Sequence, residues 1–290
     1  MRKNIWISFI LLLLAINCFA QTEEPTLYRQ REMMLGTFVE IVSPDKNAIK
    51  TAFSEIKRLE DITTKFKEGA DIYELNKKRS LKVQPETIEI IEKAKYFYDL
   101  TNGAFDITAE LGKKSRGLSA IIIDKQNQTV TLKDPNINID LGGIGDGYIL
   151  DKVVALVKKQ GVSSMLINAG GDIYCLGKKS KDKPWEIGIQ NPYIEKDVLK
   201  IISLENKAIT TSGTYQQPKH IINPKTGKPA QSNIVSVSII TNDCITADAL
   251  ATAAFVLGKD KALKMISAIG GKKIDAYIYT KKDIIKIMNG

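Results

Sequence analysis

Four short segments of the sequence combine residue types that bind anions, hard cations or protons. Asp140-Leu-Gly-Gly-Ile-Gly-Asp-Gly147 packs four glycines into six positions just ahead of a helical pattern. Glycines at a helix N-terminus leave backbone amides free, and such amides form a ready anion site. The same string also reads as a plain tight turn. It has neither the GxGxxG order nor the lysine of a P-loop, so neither a dinucleotide fold nor a P-loop is supported. Asn168-Ala-Gly-Gly-Asp172 follows the apolar run Met165 to Ile167, where glycines either admit a ligand to the backbone or simply turn the chain between strands.

The third segment is Thr210-Thr-Ser-Gly213, followed closely by His220-Ile-Ile-Asn-Pro-Lys-Thr-Gly227. Its hydroxyls and amides suit phosphate oxygens, and His220 can donate, accept or transfer a proton near neutral pH. His220 is the sole histidine of the chain. A lone histidine is more often structural than catalytic, but this one lies in a loop dense in Asn, Pro and Gly. The fourth segment, Thr246-Ala-Asp-Ala-Leu-Ala-Thr252, opens a helix. Asp248 and Thr252 are i and i+4 and share one face, which offers two oxygens to a hard cation such as magnesium. An acid in a first helical turn also complements the helix macrodipole with no metal involved.

The elements that must position these segments are legible in the periodicity. Gly36 to Val42 alternates like a half-buried strand, and Asn47 to Phe66 carries helical spacing through Ala48, Phe53, Ile56, Leu59 and Ile62. Pro85 opens a second helix that runs to about Leu100, and Asn102-Gly103 stops it. Strands are predicted at 120–123, 129–132, 164–167, 185–189, 198–202, 235–240, 275–279 and 284–288, with helices at about 148–159, 246–257 and 259–269. Strands and helices alternate without a sustained βαβ rhythm, which predicts an α+β domain. No internal repeat, low-complexity segment or linker stands out.

Bulk properties bound the setting. The first twenty residues have a basic start (Arg2, Lys3), an apolar run from Ile5 to Ile16 and then Cys18, Phe19 and Ala20. That is the pattern of a cleavable export signal, and the apolar core is shorter than the roughly 20 residues a spanning helix needs. Cleavage after Ala20 releases a soluble exported, periplasmic chain of residues 21–290. Cleavage before Cys18 leaves a lipoprotein associated with the membrane surface, although Asn17 fits that route poorly. Residues 1 to 20 hold two of the 42 Lys and Arg and none of the 33 acids, so their removal lowers the formal net charge from +9 to +7. The excess is spread among acids, not gathered in a stripe with aromatics, so nucleic acid is not expected as a partner. Cys175 and Cys244 make neither a disulfide framework nor a metal-type CxxC, and are expected to be small buried hydrophobes.

Taken together and in order, the segments resemble the FAD:protein FMN transferase family, also called ApbE-like. The matching pieces are Leu35-Gly-Thr37, Ala104-Phe-Asp106, Asp140-Leu-Gly-Gly143 with Gly147-Tyr148 and Asp151, Asn168 to Asp172, Thr211-Ser-Gly213, His220 to Gly227 and Ala247 to Thr252. They cover nearly the whole chain after the export signal. The resemblance implies an ApbE-like, T-fold-like two-part α+β architecture with largely antiparallel sheets and packed helices. It implies FAD as substrate, Mg2+ as cofactor, and transfer of FMN to a Thr or Ser hydroxyl of an acceptor redox protein, leaving a phosphodiester and AMP.

By the same resemblance the metal lies between the carbonyl of Gly143 and the side chains of Asp248 and Thr252. The flavin and ribityl parts contact Leu35, Phe66, Ala104, Phe105, Asp106 and Asp140. Thr211, Ser212 and His220 line the diphosphate, Asp146 and Ile222 also face the nucleotide, and His220 and Asp248 are the catalytic pair. Several positions depart from the family. Asp146 stands where Lys or Glu is usual, Phe66 for Tyr, Leu35 for Met, Thr214 for an acid and Asn223 for Asp, and the stretch from Gly213 to His220 is short. Phe66 keeps an apolar stacking face and loses a hydroxyl. Hydrolysis of FAD to FMN and AMP, or flavin binding without turnover, are the rival activities.

Overall fold

Helix α1 (Lys46–Thr63) shows how local sequence becomes packing in this chain. Asp45 caps it by accepting the N–H groups of Asn47 and Ala48 at 2.7 and 3.2 Å. Ala48, Ile49, Ala52, Phe53, Ile56 and Leu59 then recur at helical spacing and are buried. Each of the large ones contributes about 1.5–3 kcal/mol by leaving water. The helix ends at Thr63, three residues before Phe66, which leaves Phe66 in a loop and 84% exposed.

The computed structural model describes residues 25–194, 197–213, 220–269 and 274–288. The expected export signal with Cys18, and Thr214 with the short stretch before His220, lie outside the described residues. Two further helices, α2 (Asp71–Lys78) and α3 (Pro85–Leu100), follow α1. Later in the chain come α4 (Gly145–Lys159), α5 (Cys244–Leu257) and α6 (Lys259–Ala268). No described helix is long and apolar enough to cross a membrane.

The strands are β1 (Tyr28–Met34), β2 (Thr37–Ser43), β3 (Ser80–Lys82), β4 (Ile121–Asp124), β5 (Thr129–Leu132), β6 (Met165–Ala169), β7 (Asp172–Leu176) and β8 (Trp185–Gln190). They continue with β9 (Val198–Leu204), β10 (Lys207–Gly213), β11 (Ile222–Asn223), β12 (Lys228–Pro229), β13 (Ile234–Thr241), β14 (Asp275–Thr280) and β15 (Ile284–Ile287). Eight of them form one antiparallel sheet in the order β1-β2-β6-β7-β10-β13-β14-β15. Helices cover one face over a core that includes Ile41, Ile56, Tyr148, Val237 and Phe255. The β8–β9 hairpin covers the other through Trp185, Ile187, Ile189 and Ile202, packed with Ile209, Ile240, Tyr277 and Tyr279. The α+β reading holds, and Cys175 and Cys244 are both buried.

Several elements escape the sequence pattern. Strand β1 is an edge whose side chains other than Met34 are exposed or half-exposed, so it has no alternation to detect. Helix α2 is short, uncapped by any side chain, and buries only Ile72 and Leu75. Thr210 to Gly213, outside every predicted strand, is the end of β10. It pairs with β13 through Thr211↔Ser238, Ser212↔Val237 and Gly213↔Ser236, because a polar run joins a ladder when its neighbours supply the register.

Helices α4 and α5 meet at their N-termini. A Cβ at Gly147 would lie 2.8 Å from the Cys244 carbonyl oxygen and the Ile245 Cα, so only glycine allows this approach. Asp151 of α4 accepts the N–H groups of Cys244 (2.7 Å) and Ile245 (3.0 Å), while Asp243 accepts that of Thr246 at 2.9 Å. The first turn of α5 is thus capped partly by another helix. Asp151→Ala strands two amide donors, and each unsatisfied buried donor costs roughly 1–3 kcal/mol. Urea unfolding of that variant is expected to show a loss of about 2–3 kcal/mol; a midpoint equal to wild type would mean that the cap contributes nothing.

Candidate functional site

The segments singled out by residue type converge on one cleft of about 710 Å³ at the end of the large sheet. The β1–β2 turn supplies Leu35, Gly36 and Thr37, and the end of α1 with its following loop supplies Glu60, Lys65 and Phe66. Ala104 to Asp106 and the Gly-rich turn from Asp140 to Asp146 form one wall. Asp172 from β7, Thr210 to Gly213 from β10, His220 to Ile222, and Asp248 and Thr252 from α5 complete the lining. A second depression, of about 660 Å³, lies on the other side of the α4–α5 pair between Lys93, Phe97, Asp151, Lys158 and Tyr174. None of the four segments lines it except the first residues of α5, so the cleft is the candidate site.

Backbone strain marks the β1–β2 turn. Leu35 and Gly36 both have positive φ, 56° and 69°, and form a two-residue connection between Met34 and Thr37 of the type that suits hairpin twist. A leucine seldom tolerates that conformation. Its N–H donates to Glu60 Oε1 at 2.8 Å, which ties the turn to α1. Beside it, Gly170 and Gly171 make the β6–β7 turn with φ of 62° and 111°. A Cβ at Gly170 would fall 2.9 Å from the Thr37 hydroxyl oxygen, so the two turns are in close contact.

Gly143, Phe105 and Thr252 are packed together. A Cβ added to Gly143 would lie 3.0 Å from Thr252 Oγ1 and 3.3 Å from Phe105 Cε2, so the Gly143 backbone reaches Thr252 because it is glycine. Asp248, one turn before Thr252, is buried and accepts the Gly147 N–H at 3.4 Å. Burial raises the Asp248 carboxyl well above the ordinary range, and the charges of Asp172 and Asp146 raise it further. Burial likewise lifts Asp146 to about 8, helped by Asp172 and Glu60, and lifts Asp172 to about 6 against the opposing Thr210 hydroxyl. Asp146 and Asp172 are half-buried where they line the cleft.

Such a cluster is unfavourable until a cation or protons neutralise it. Among the described residues no three His, Cys, Asp or Glu side chains are arranged to hold an ion by themselves. A cation here would therefore draw on a backbone carbonyl and a hydroxyl as well as carboxylate, and Gly143, Thr252 and Asp248 offer that set. All are oxygen donors, which fits a hard ion such as magnesium.

The remaining predicted residues are placed as follows. Ala104 and Phe105 are buried, and Phe105 meets Phe97 edge to face at 6.3 Å. Asp106 is occupied locally, accepting the N–H and hydroxyl of Thr108 at 2.7 Å each and the Ser115 hydroxyl. It shapes its loop while lining the cleft. Asp140 accepts the Gly142 N–H at 3.0 Å and pairs with Lys65, whose ammonium also lies 5.0 Å from the Phe66 ring centroid. His220 is exposed at the rim, with half-buried Ile222 nearby. Thr211 lines the cleft, but its hydroxyl is 2.7 Å from that of Ser238.

Thr210 and Thr211 point to opposite faces of the sheet. Thr210, opposite Ile239, is on the helix side with Ala208 and Val237; Thr211 is on the hairpin side with Ile209 and Ile240. Ser212, opposite Val237, shares the side of Thr210. Reasoning from sequence did not single out Thr210 within its segment, nor Glu60 or Lys65. The two charged residues fall within the predicted helical span Asn47 to Phe66 outside its apolar positions, and no local signal marks them as parts of a site.

Comparison with known proteins places the chain in a family. The ApbE family pattern matches residues 35–111 and 111–278. A FAD:protein FMN transferase of Escherichia coli (strain K12) is 30% identical over 181 residues, which cover 59% of this chain and 51% of that protein. The chain thus spans about half the length of that relative. A protein of the same name from Klebsiella pneumoniae (strain 342) is 26% identical over 89% of this chain and 91% of its own length. The crystal structure of the ApbE protein of Thermotoga maritima, 29% identical, superposes with a TM-score of 0.80 over 90% of this chain and 97% of that one. On the extent of the family match and the architecture that accompanies it, this chain belongs to the ApbE family.

Proposed function

We propose that the chain is a magnesium-dependent flavin transferase that cleaves FAD and attaches FMN to a Thr or Ser hydroxyl of an acceptor protein. One observation carries the reading: Gly143 packs against Thr252, and Asp248, one helical turn earlier, lines the same cleft, to which each of the four segments singled out by residue type contributes. The relatives named FAD:protein FMN transferase support the choice of substrate. The export pattern of residues 1–20 supports action outside the cytoplasm, where a covalently held flavin cannot diffuse away from its redox protein.

The buried apolar floor at Ala104 and Phe105 and the exposed Phe66 ring accommodate the flavin, and the Asp140 and Leu35 turns bound its ribityl chain. Magnesium held at Asp248, Thr252 and the Gly143 carbonyl would neutralise diphosphate charge and stabilise the oxygen leaving with AMP. The acceptor hydroxyl oxygen forms a bond to the FMN phosphorus as the phosphorus–oxygen bond to AMP breaks. His220, at the rim where an acceptor enters, takes the hydroxyl proton.

Incubating the purified chain with FAD, magnesium and a threonine-bearing acceptor should make the acceptor fluoresce in a denaturing gel. Free FMN and AMP beside a dark acceptor would indicate hydrolysis, and intact FAD a binding protein. His220→Ala should keep FAD bound and lose transfer by about 100-fold or more, the scale of a general base. Loss of FAD binding instead would make His220 a binding residue.

The carboxylate cluster yields a second test. Asp146 and Asp172 titrate at about 8 and about 6 when folded, and near 4 when unfolded. The folded chain then holds more protons between these values, so metal-free stability falls as pH rises from about 4 to about 8. Magnesium should raise Tm more at pH 8 than at pH 5, and Asp248→Asn should remove most of that increment. An increment independent of pH and of Asp248 would overturn the metal assignment.

A further inference from the structure

Among the described residues the cleft is lined by six acidic side chains, Glu60, Asp106, Asp140, Asp146, Asp172 and Asp248, and by one Lys or Arg, Lys65. A dinucleotide with a charged diphosphate must enter this field. A divalent cation at Asp248 offsets part of it at the base. At the mouth the one permanent cation among the described lining residues is Lys65, on the loop that follows α1.

Lys65 forms an ion pair with Asp140, its side chain 33% and that of Asp140 45% exposed. As a contribution to folding, so exposed a pair is worth little. Its setting gives it a different use. Asp140 opens the Gly-rich turn and holds Gly142 by the backbone, Phe66 follows Lys65 directly, and all three line the cleft. Without Lys65, Asp140 would present an uncompensated negative charge to an anionic ligand. At effective dielectric constants near 20, one such charge at several ångströms changes binding by about tenfold or more.

We infer that Lys65 is a positioning residue for the nucleotide: it neutralises Asp140 at the cleft mouth and so lets a diphosphate-bearing flavin settle against Phe66 and the Gly-rich turn. This inference rests on the flavin-transfer reading, and it concerns binding of the nucleotide before chemistry. Lys65 acts through Asp140, so its loss is repaired by removing the charge it neutralises.

The test is titration of FAD into the purified full chain with magnesium and no acceptor, followed by quenching of flavin fluorescence at low and high salt. Lys65→Met should raise the Kd for FAD by about tenfold at low salt and less at high salt, because screening weakens the exposed carboxylate. Lys65→Arg should bind within about threefold of wild type. The double variant Lys65→Met with Asp140→Asn should bind FAD more tightly than Lys65→Met alone, since Asn keeps an acceptor for the Gly142 N–H and carries no charge. Unchanged binding by Lys65→Met, or a double variant as weak as Lys65→Met alone, would overturn the inference while leaving the transferase reading intact. A wild-type chain that does not bind FAD would overturn both.

Discussion

The approach of α4 to α5 is the constraint on which the site depends. Gly147 has no side chain, so the backbone at Cys244 and Ile245 can sit against it, and Asp151 then caps the two amides that the contact brings into reach. Once this crossing is set, residues a hundred positions apart in sequence become neighbours. The Gly147 N–H reaches Asp248, and the turn before α4 brings Gly143 to Thr252. Glycine and aspartate have complementary roles here, the first removing the steric bar and the second satisfying the donors exposed by close packing.

The same crossing creates an electrostatic conflict, and the conflict is useful. Asp172 raises the proton affinity of Asp146 and Asp248, and Asp146 that of Asp248, in a place where burial already disfavours charge. A hard cation bound there would relieve that repulsion, and the free energy stored in crowding the acids would then become affinity for the ion. Asp146 adds a further acid to this group. Lys65 then becomes the counterweight at the mouth. The sheet beneath carries an apolar layer on each face. The elements that carry the chemistry are turns and helix ends attached to that frame.

Much of this was legible from residue types. Helix α3 begins and ends at Pro85 and Leu100 as its Pro and Asn-Gly signals require, and α1, α4, α5 and α6 carry their apolar stripes openly. The Gly-rich turns, the Asp248 and Thr252 pair and His220 stand out as chemistry because those residues are poor choices for a plain core. Strand β1 and helix α2 were not legible, since each buries too little to leave a periodic trace.

By itself, then, the sequence determined the local grammar: where the chain turns, which helices form, and which oxygen-bearing residues are held near helix N-termini. Only the tertiary structure decided which of these groups meet. Thr210 and Thr211 are adjacent and chemically alike, yet sheet register sends one hydroxyl toward the helices and the other to Ser238 on the opposite face. Glu60 and Lys65 look like ordinary helix surface until the β1–β2 turn and the Gly-rich turn close over them. The reason is physical range. Capping, turn preference and periodicity act over a few residues, whereas the cleft is assembled by packing between segments from Leu35 to Thr252.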